Sequence, residues 1–322
     1  MPFIGFAPAV ALAASLAWAV EAPAQSLQNR PVRIVVPTAP GGTLDLLTRV
    51  MAPKLGEAWG ATVVVDNRAG ASGIIGYEAV ANANPDGHTM AMVGSTFSVT
   101  AAVYRKLPFD ALRDFVPVSL VAYAPWGLIV NAALPVRTVK ELVALTKERS
   151  GQINYASTGT GGATHLAVEL FKSMTGAQMT HVPYKGTAPA LNDVIGGQVQ
   201  LMITGITTAM PHVATGKLRV LAVTGKNRVP SLPDVPTIAE SVPGYEYNNW
   251  FGALAPRAAP VSVVAQLQRG IEQALKANEV RQALLAQGLE PVGSSPAQFR
   301  DMLRQEIAKY SKLASSIGVQ LD

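Results

Sequence analysis

Cysteine is absent from all 322 residues, which excludes disulfide frameworks, thiolate metal sites, iron–sulfur clusters and cysteine nucleophiles together. Charged residues are scarce, at 15% of the chain, and aromatics scarcer, at 6%. No segment beyond residue 20 is apolar for long enough to span a bilayer. The basic residues are scattered rather than gathered into a stripe with aromatics. Nucleic-acid binders concentrate positive charge on one face to neutralise phosphates, so that class of partner is not expected. What the chain does have is a composition 49% hydrophobic, with 28 Gly and 23 Pro spread along it. Disordered, collagen-like and linker readings are therefore excluded, and the length suits about two domains with sizeable cores.

The first 24 residues read as a targeting segment. An apolar run over 3–20 is followed by Glu21 and by the small-x-small triplet Ala22-Pro23-Ala24, so a signal peptide over 1–24 with cleavage after Ala24 is expected. The usual basic n-region is missing, the first cation being Arg30. Either the natural start lies upstream or the signal is atypical. An N-terminal membrane anchor is the alternative, since the run only just reaches spanning length. Loss of Glu21 leaves 26 basic against 20 acidic residues, a net charge of +6. That mild, dispersed excess suits steering of a small anionic ligand.

Short β-branched runs at 32–36, 62–65, 89–93, 128–130, 153–156, 179–182, 199–203 and 219–224 alternate with helical patterns. Leu44, Leu47, Met51 and Leu55 mark one helix; Leu166, Leu170, Phe171 and Met174, stopped by Gly176, mark another. This α/β order predicts parallel sheets. After an irregular, Pro-rich stretch over 230–260 the C-terminal third carries three helical patterns and almost no strand signal. Val264, Leu267, Ile271 and Leu275 mark the first. The last opens with Ser295 as N-cap, Pro296 at the first helical position and Gln298 completing a capping box. Its stripe of Phe299, Met302, Leu303, Ile307 and Tyr310 reads as core.

Two segments share one design of strand, Gly/Thr-rich turn and helix. The first contains Thr38, Ala39, Gly41, Gly42, Thr43 and Asp45; the second contains Ser157, Thr158, Gly159, Thr160, Gly161, Gly162, Thr164 and His165. Glycines let the backbone approach a ligand, and a helix N-terminus offers unpaired N–H groups with partial positive charge. Each loop is thus a candidate cradle for a carboxylate or phosphate, with hydroxyls to orient it. Neither matches G-x-x-x-x-G-K-S/T, because no Lys follows the glycines, and neither matches G-x-G-x-x-G with a downstream acid, so nucleotide binding is not favoured. Either loop alone is as well explained as an ordinary β-to-α turn. Two of them, expected in different lobes, favour a ligand held between lobes. The turns over 67–73 and 94–96 follow strands in the same half as the first loop and are expected to complete its wall. Asp45 reads most simply as a dipole-favourable residue in a first helical turn, with loop orientation as its functional alternative. His165 is read equally well as a donor to ligand or as a locally satisfied histidine.

Catalytic constellations are missing. There is no H-E-x-x-H, no G-x-S-x-G, and His88, His165, His181 and His212 lack a metal-like spacing.

The motifs resemble a known family. Val-Pro-x-x-Pro-Gly-Gly-x-x-Asp (36–45), Asn-Arg-x-Gly-Ala-x-Gly (67–73), Asp-Gly-x-Thr (86–89), Lys-Leu-Pro-Phe-Asp (106–110), Gly-x-Gly-x-x-x-His-Leu-Ala-x-Glu-Leu-Phe (159–171), Val-Pro-Tyr-Lys-Gly (182–186) and Leu-Pro-Asp-Val-Pro-Thr (232–237) are similar to those of the Bug, or TctC-like, substrate-binding proteins of tripartite tricarboxylate transporters. The resemblance implies an α/β, type II periplasmic binding-protein fold: two doubly wound lobes, a central ligand cleft and a two-strand hinge. It implies lobe 1 over 25–122 and 247–322, lobe 2 over 123–246, and hinge residues near 121–125 and 247–253. It also implies a carboxylate held by both loops, with Ser95, Tyr184 and Thr204 in the ligand set. The expected protein is a periplasmic monomer that delivers a small carboxylate to inner-membrane transporter subunits, with no cofactor, metal or nucleic acid. His88 stands where the family usually has Tyr, and Thr38 where an aromatic is common. Residues 94–98, where the family varies, are expected to face the far end of the ligand. The competing readings are a sensory carboxylate-binding protein and an exported hydrolase or isomerase using His165 or His181 as base.

Overall fold

The computed structural model describes residues 27–321 apart from Asn29 and Ser231. The expected signal peptide over 1–24 lies outside the described residues. The chain begins with β1 (Val32–Val36), α1 (Thr43–Trp59), β2 (Val63–Asn67), α2 (Ile74–Ala81), β3 (Thr89–Gly94), α3 (Thr96–Val103) and β4 (Phe115–Tyr123). It crosses to a second sheet through β5 (Trp126–Asn131), α4 (Val139–Glu148), β6 (Ile153–Ser157), α5 (Ala163–Thr175), β7 (Met179–Pro183), α6 (Thr187–Gly196), β8 (Leu201–Gly205), α7 (Ile206–Ala214) and β9 (Leu218–Val223). It then returns as β10 (Trp250–Pro256), α8 (Val261–Lys276), α9 (Asn278–Ala286), β11 (Glu290–Pro291) and α10 (Pro296–Ser316). The strand orders are β11-β4-β10-β3-β1-β2 and β7-β6-β8-β5-β9.

Both sheets are covered on both faces, which is why inner strands such as β3, β5 and β8 are largely apolar. On β1, Val32, Ile34 and Val36 enter one core with Leu47, Met51 and Leu55 of α1, while Val35 enters another with Tyr77 and Phe97. On β5, Leu128 and Val130 face one core and Ile129 the opposite one. The expected helix marks are met by burial of Leu44, Leu47, Met51 and Leu55 and by Gly176 as a left-handed cap with φ +68°. The capping box of α10 is complete, with both Ser295 and Gln298 side chains accepting from backbone amides. Met174 is 39% exposed and Ile307 only half-buried, so those two marks are weaker than expected.

Parallel sheets were expected, and the sheets are mixed. β10 runs antiparallel to both β3 and β4, and β5 antiparallel to both β8 and β9. The strands that carry the chain between sheets cannot arrive in the direction of a βαβ crossover, so they insert antiparallel. Two of the central strands escape propensity-based reading. β4 contains Pro117, and β10 is a Gly/Ala-containing run ending in Pro256; tertiary pairing rather than β-branched content makes them strands.

The crossing segments are tied to each other. Ala124 N–H donates to Asn249 O at 2.8 Å and Tyr247 N–H to Thr224 O at 3.0 Å, and the Trp126 and Tyr247 rings stack at 5.7 Å. Helix α10 joins both halves: Phe299 and Leu303 sit in the first sheet's core, Tyr310 and Leu313 in the second's. It therefore does not belong wholly to the half in which β10 lies.

Gly252 of β10 lies under the Phe299 ring, where an added Cβ would come 2.3 Å from a ring carbon. Gly252→Ala is expected to cost about 1–3 kcal/mol by overpacking. Gly196→Ala, with nothing within 4 Å, is expected to be neutral or slightly stabilising. Urea midpoints of the two variants check this, and equal midpoints would contradict the packing described.

Candidate functional site

The first loop leaves β1 through Pro37 and turns into α1 with Gly41 at φ +84°. Helix α1 has Gly42 as N-cap and no side-chain cap, and its first internal bond runs from Leu46 N–H to Gly42 O. The amides of Thr43, Leu44 and Asp45 therefore have no acceptor among the described residues, and they carry the positive end of a 17-residue helix. Thr38, Ala39, Gly41, Gly42 and Thr43 are all exposed.

Asp45 stands behind this loop, only 2% exposed. It accepts from Gly41 N–H at 2.8 Å, from Arg49 Nε at 3.0 Å and from Asn67 Nδ2 at 2.9 Å. Asn67 Nδ2 also donates to Thr38 O at 3.1 Å, and Arg49 donates to Asn67 Oδ1 at 2.9 Å. The carboxylate thus tethers the loop, and it is not presented to a ligand. Burial would raise its pKa, but the bonds from Arg49, Gly41 and Asn67 prevail and hold it below the usual carboxylate value.

The second loop repeats the plan at the end of β6. Gly159 and Gly161 have φ +140° and +73°, and α5 begins uncapped after Gly162, its first internal bond running from Leu166 N–H to Gly162 O. Ala163, Thr164 and His165 contribute three further amides without acceptors. The loop is internally braced. Thr164 Oγ1 accepts from Thr158 N–H at 2.8 Å and lies 2.9 Å from Thr158 Oγ1. Gly159 N–H donates to Ser157 Oγ at 3.1 Å, and Gly161 N–H donates to His165 Nδ1 at 3.1 Å.

His165 is buried and stacks on His181 with ring centroids 4.0 Å apart. Burial first, and then His181, push the His165 pKa down to about 4. Burial likewise lowers that of His181. His165 is therefore a locally satisfied histidine under the loop. Ser157 Oγ lies 2.6 Å from His181 Nε2, a spacing suited to a nucleophile and its base. Ser157 has no exposed surface, however, and its oxygen is engaged with Gly159, so this pair braces the loop.

On the first sheet the carboxyl ends of β1 and β3 border a cavity of about 340 Å³ that includes Thr38, Leu44, Ser72, Tyr77, Ser95 and Thr96. Turns 69–73 and 94–96 form its wall; Asn67, Arg68 and, of the first loop's candidates, Ala39, Gly41, Gly42, Thr43 and Asp45 do not line it. Among the described residues, no charged side chain lines it. Ala71 and Ser72 adopt φ of +45° and +54°, rare for residues with a Cβ. Ser95 Oγ donates to Asn249 Oδ1 at 2.6 Å, and Asn249 also lines the cavity. Asn249 comes from the crossing segment before β10 and was not anticipated, because an Asn pair after a Pro-rich stretch matches no motif.

None of the lobe-2 candidates lines this cavity. Tyr184, after β7, donates its hydroxyl to Asp193 at 2.7 Å, and burial together with Asp193 raises its pKa to about 12. Thr204 is 3% exposed on β8, paired with Gly127. Ser157, Thr158, Gly159, Gly161, Thr164 and His165 form a separate cradle around the start of α5.

Two α/β lobes, two crossing segments and an uncapped helix start behind a glycine loop in each lobe are the architecture of type II periplasmic binding proteins. A family model described as "Tripartite tricarboxylate transporter family receptor" matches residues 47–319. The chain belongs to this TctC family. It is similar to the periplasmic binding protein BugD, at 34% identity and TM-score 0.75 over 91% of this chain and 99% of that one. An R. palustris protein solved with adipate is 38% identical, with TM-score 0.78 over 91% and 98%. MatC from Rhodopseudomonas palustris, solved with bound malate, is 30% identical, with TM-score 0.74 over 88% and 99%. No helix among the described residues is long and apolar enough to cross a membrane.

If the tether is as described, Asp45→Asn costs about 1–3 kcal/mol of stability. The folded-state pKa is lowered, so the contribution is full above the unfolded value of 3.8 and is lost as pH falls through the folded one. Thermal melts from neutral to acid pH should show a constant gap between wild type and variant that narrows only below about 3.8. A gap indifferent to acid would show that the charge is not what holds the loop.

Proposed function

We propose that the protein is a periplasmic receptor that binds a small carboxylate between its lobes and delivers it to inner-membrane transporter subunits, acting as a monomer without covalent chemistry. The observation that carries this reading is the pair of uncapped helix starts, α1 and α5, each with three acceptor-free amides behind a glycine-bearing loop, exposed in the first case and partly buried in the second. An anion supplies the missing acceptors. The ligand set proposed is Thr38, Ala39, Gly41, Gly42 and Thr43 with Ser95 in one lobe, and Thr158, Gly159, Gly161 and Thr164 in the other, the latter braced by Ser157. Adipate and malate in two relatives support carboxylates as the class. The lobes are proposed as 25–122 with 247–322, and 123–246, closing about the crossing segments at a cost met by differential affinity for the closed state.

A thermal-shift screen against mono-, di- and tricarboxylates finds the ligand, because binding to the native state raises apparent stability. For the best hit, the matching amide is expected to bind at least about 30-fold more weakly, since hydrogen bonds to charged groups are worth about 1.5–3 kcal/mol. The preference should persist at high salt, as contact with fixed amides is screened less than surface attraction. Equal affinity for acid and amide would remove the carboxylate reading; a preference abolished by salt would move recognition to surface cations. Material from the periplasm is expected to start at Gln25 by N-terminal sequencing, and recovery of residues 1–20 in that fraction would contradict export with cleavage.

A further inference from the structure

Under the lobe-2 loop, the acceptor of Gly161 N–H is an imidazole nitrogen, not a carbonyl. An N–H donor requires an unprotonated acceptor, so His165 must carry its single proton on Nε2. His181 lies face to face with it at 4.0 Å and touches the loop at Ser157 Oγ. Tyr155 of β6 stacks on His181 at 5.0 Å and passes its hydroxyl proton toward Glu169 Oε1 at 2.5 Å. Lys172 Nζ also lies 2.5 Å from Glu169. The charged and titratable groups around the pair are thus Glu169 and Lys172 from α5 and Tyr155 from β6. The two charges compensate each other, and no free carboxylate remains to hold an imidazolium.

We propose that His165 and His181 are positioning residues whose neutral, stacked imidazoles set the shape of the loop over 157–164, and that a proton on His165 releases Gly161 and opens the loop. Protonated Nδ1 would set one N–H against another, and two stacked imidazoles leave no room for a second positive charge. His181 differs. Its protonated Nε2 can still donate to Ser157 Oγ, whose own hydrogen then goes to Gly159 O at 3.1 Å. The acid-sensitive contact is therefore the one at Gly161. Burial of the pair works in the same direction, holding both imidazoles neutral below the ordinary histidine value. The unfolded chain takes up the proton first, so folded-state stability declines as pH falls from 6.5 toward about 4. As a device for ligand retention this rests on the carboxylate-receptor reading; as a property of the loop it does not.

The test uses the full mature chain without ligand. Nitrogen-15 spectra of the imidazoles give the tautomer and titration of each histidine, and amide exchange gives the protection of Gly161, corrected for intrinsic rate. In the wild type, Gly161 protection is expected to fall roughly threefold to tenfold in step with protonation of His165, the loss of one hydrogen bond. His165→Asn, whose amide oxygen replaces Nδ1 as an uncharged acceptor, should keep the protection and remove its dependence on pH. His165→Leu should lack it already at neutral pH. Gly161 protection that ignores the titration of His165, or an Nδ1-protonated tautomer at neutral pH, overturns the proposal, and these readouts stand even if the Leu variant fails to fold. A loop that titrates as stated while no carboxylate binds would instead overturn the receptor reading alone.

Discussion

Six backbone amides at the starts of α1 and α5 have no acceptor among the described residues, and much of the surrounding structure follows from that. A helix start left uncapped must meet water or a ligand. The usual Ser, Thr or Asp cap is replaced in both lobes by glycine, at Gly42 and Gly162, so no side chain competes for those amides. The bracing that a cap would have given is supplied from behind. Asp45 with Arg49 and Asn67 does this in one lobe, and Thr164, Ser157 and His165 do it in the other. Each loop is therefore shaped by its own contacts, and little ordering cost would fall on the proposed binding of an anion there.

The periodic elements and both glycine loops were legible in the sequence because their signals are local. The α1 stripe, the Gly176 cap and the Ser295 capping box each depend on residues within a turn or two of one another. The roles of Asp45 and His165 were not fully legible, since each depends on partners that reach it through folding: Asn67 lies 22 residues away from Asp45, and His181 of β7 stacks on His165 of α5. A polar residue just inside a helix start reads equally as a ligand contact or as a brace. Only the direction of its hydrogen bonds distinguishes the two. The mixed sheets were missed for a related reason, because β4 and β10 are made by each other and by the crossing geometry rather than by their own composition.

A second buried carboxylate sits where the halves of the molecule meet. Glu306 of α10 is 7% exposed and accepts from Trp250 Nε1 and from the Tyr310 hydroxyl. Burial raises its pKa, while Lys309, Trp250 and Tyr310 oppose the rise. Trp250 opens β10 directly after the crossing segment, and Tyr310 belongs to the second sheet's core. An unpaired acceptor here would be costly, so the hydrogen bonds lock α10 to the returning strand. The same helix had read simply as an apolar stripe, because a Glu at one position of a helix of about six turns carries no local sign of burial.

The neutral lining of the first-sheet cavity bears on release as much as on capture. A receptor that must surrender its ligand gains little from a guanidinium or ammonium in the site, where separating a desolvated ion pair costs several kcal/mol. Amide donors and hydroxyls spread the same attraction over many weaker contacts; in the proposed closed state those contacts would come from both lobes, and opening would leave each set to hold the anion less firmly than both together. Asn249 lies on the crossing segment, borders the cavity and is held by Ser95, so any motion of that segment is felt at the wall of the site. Uncapped backbone amides, bracing by buried side chains and passage of the crossing segment beside the cavity are thus parts of one arrangement, in which, on the proposed reading, a small change at the crossing segments would alter the grip on a ligand.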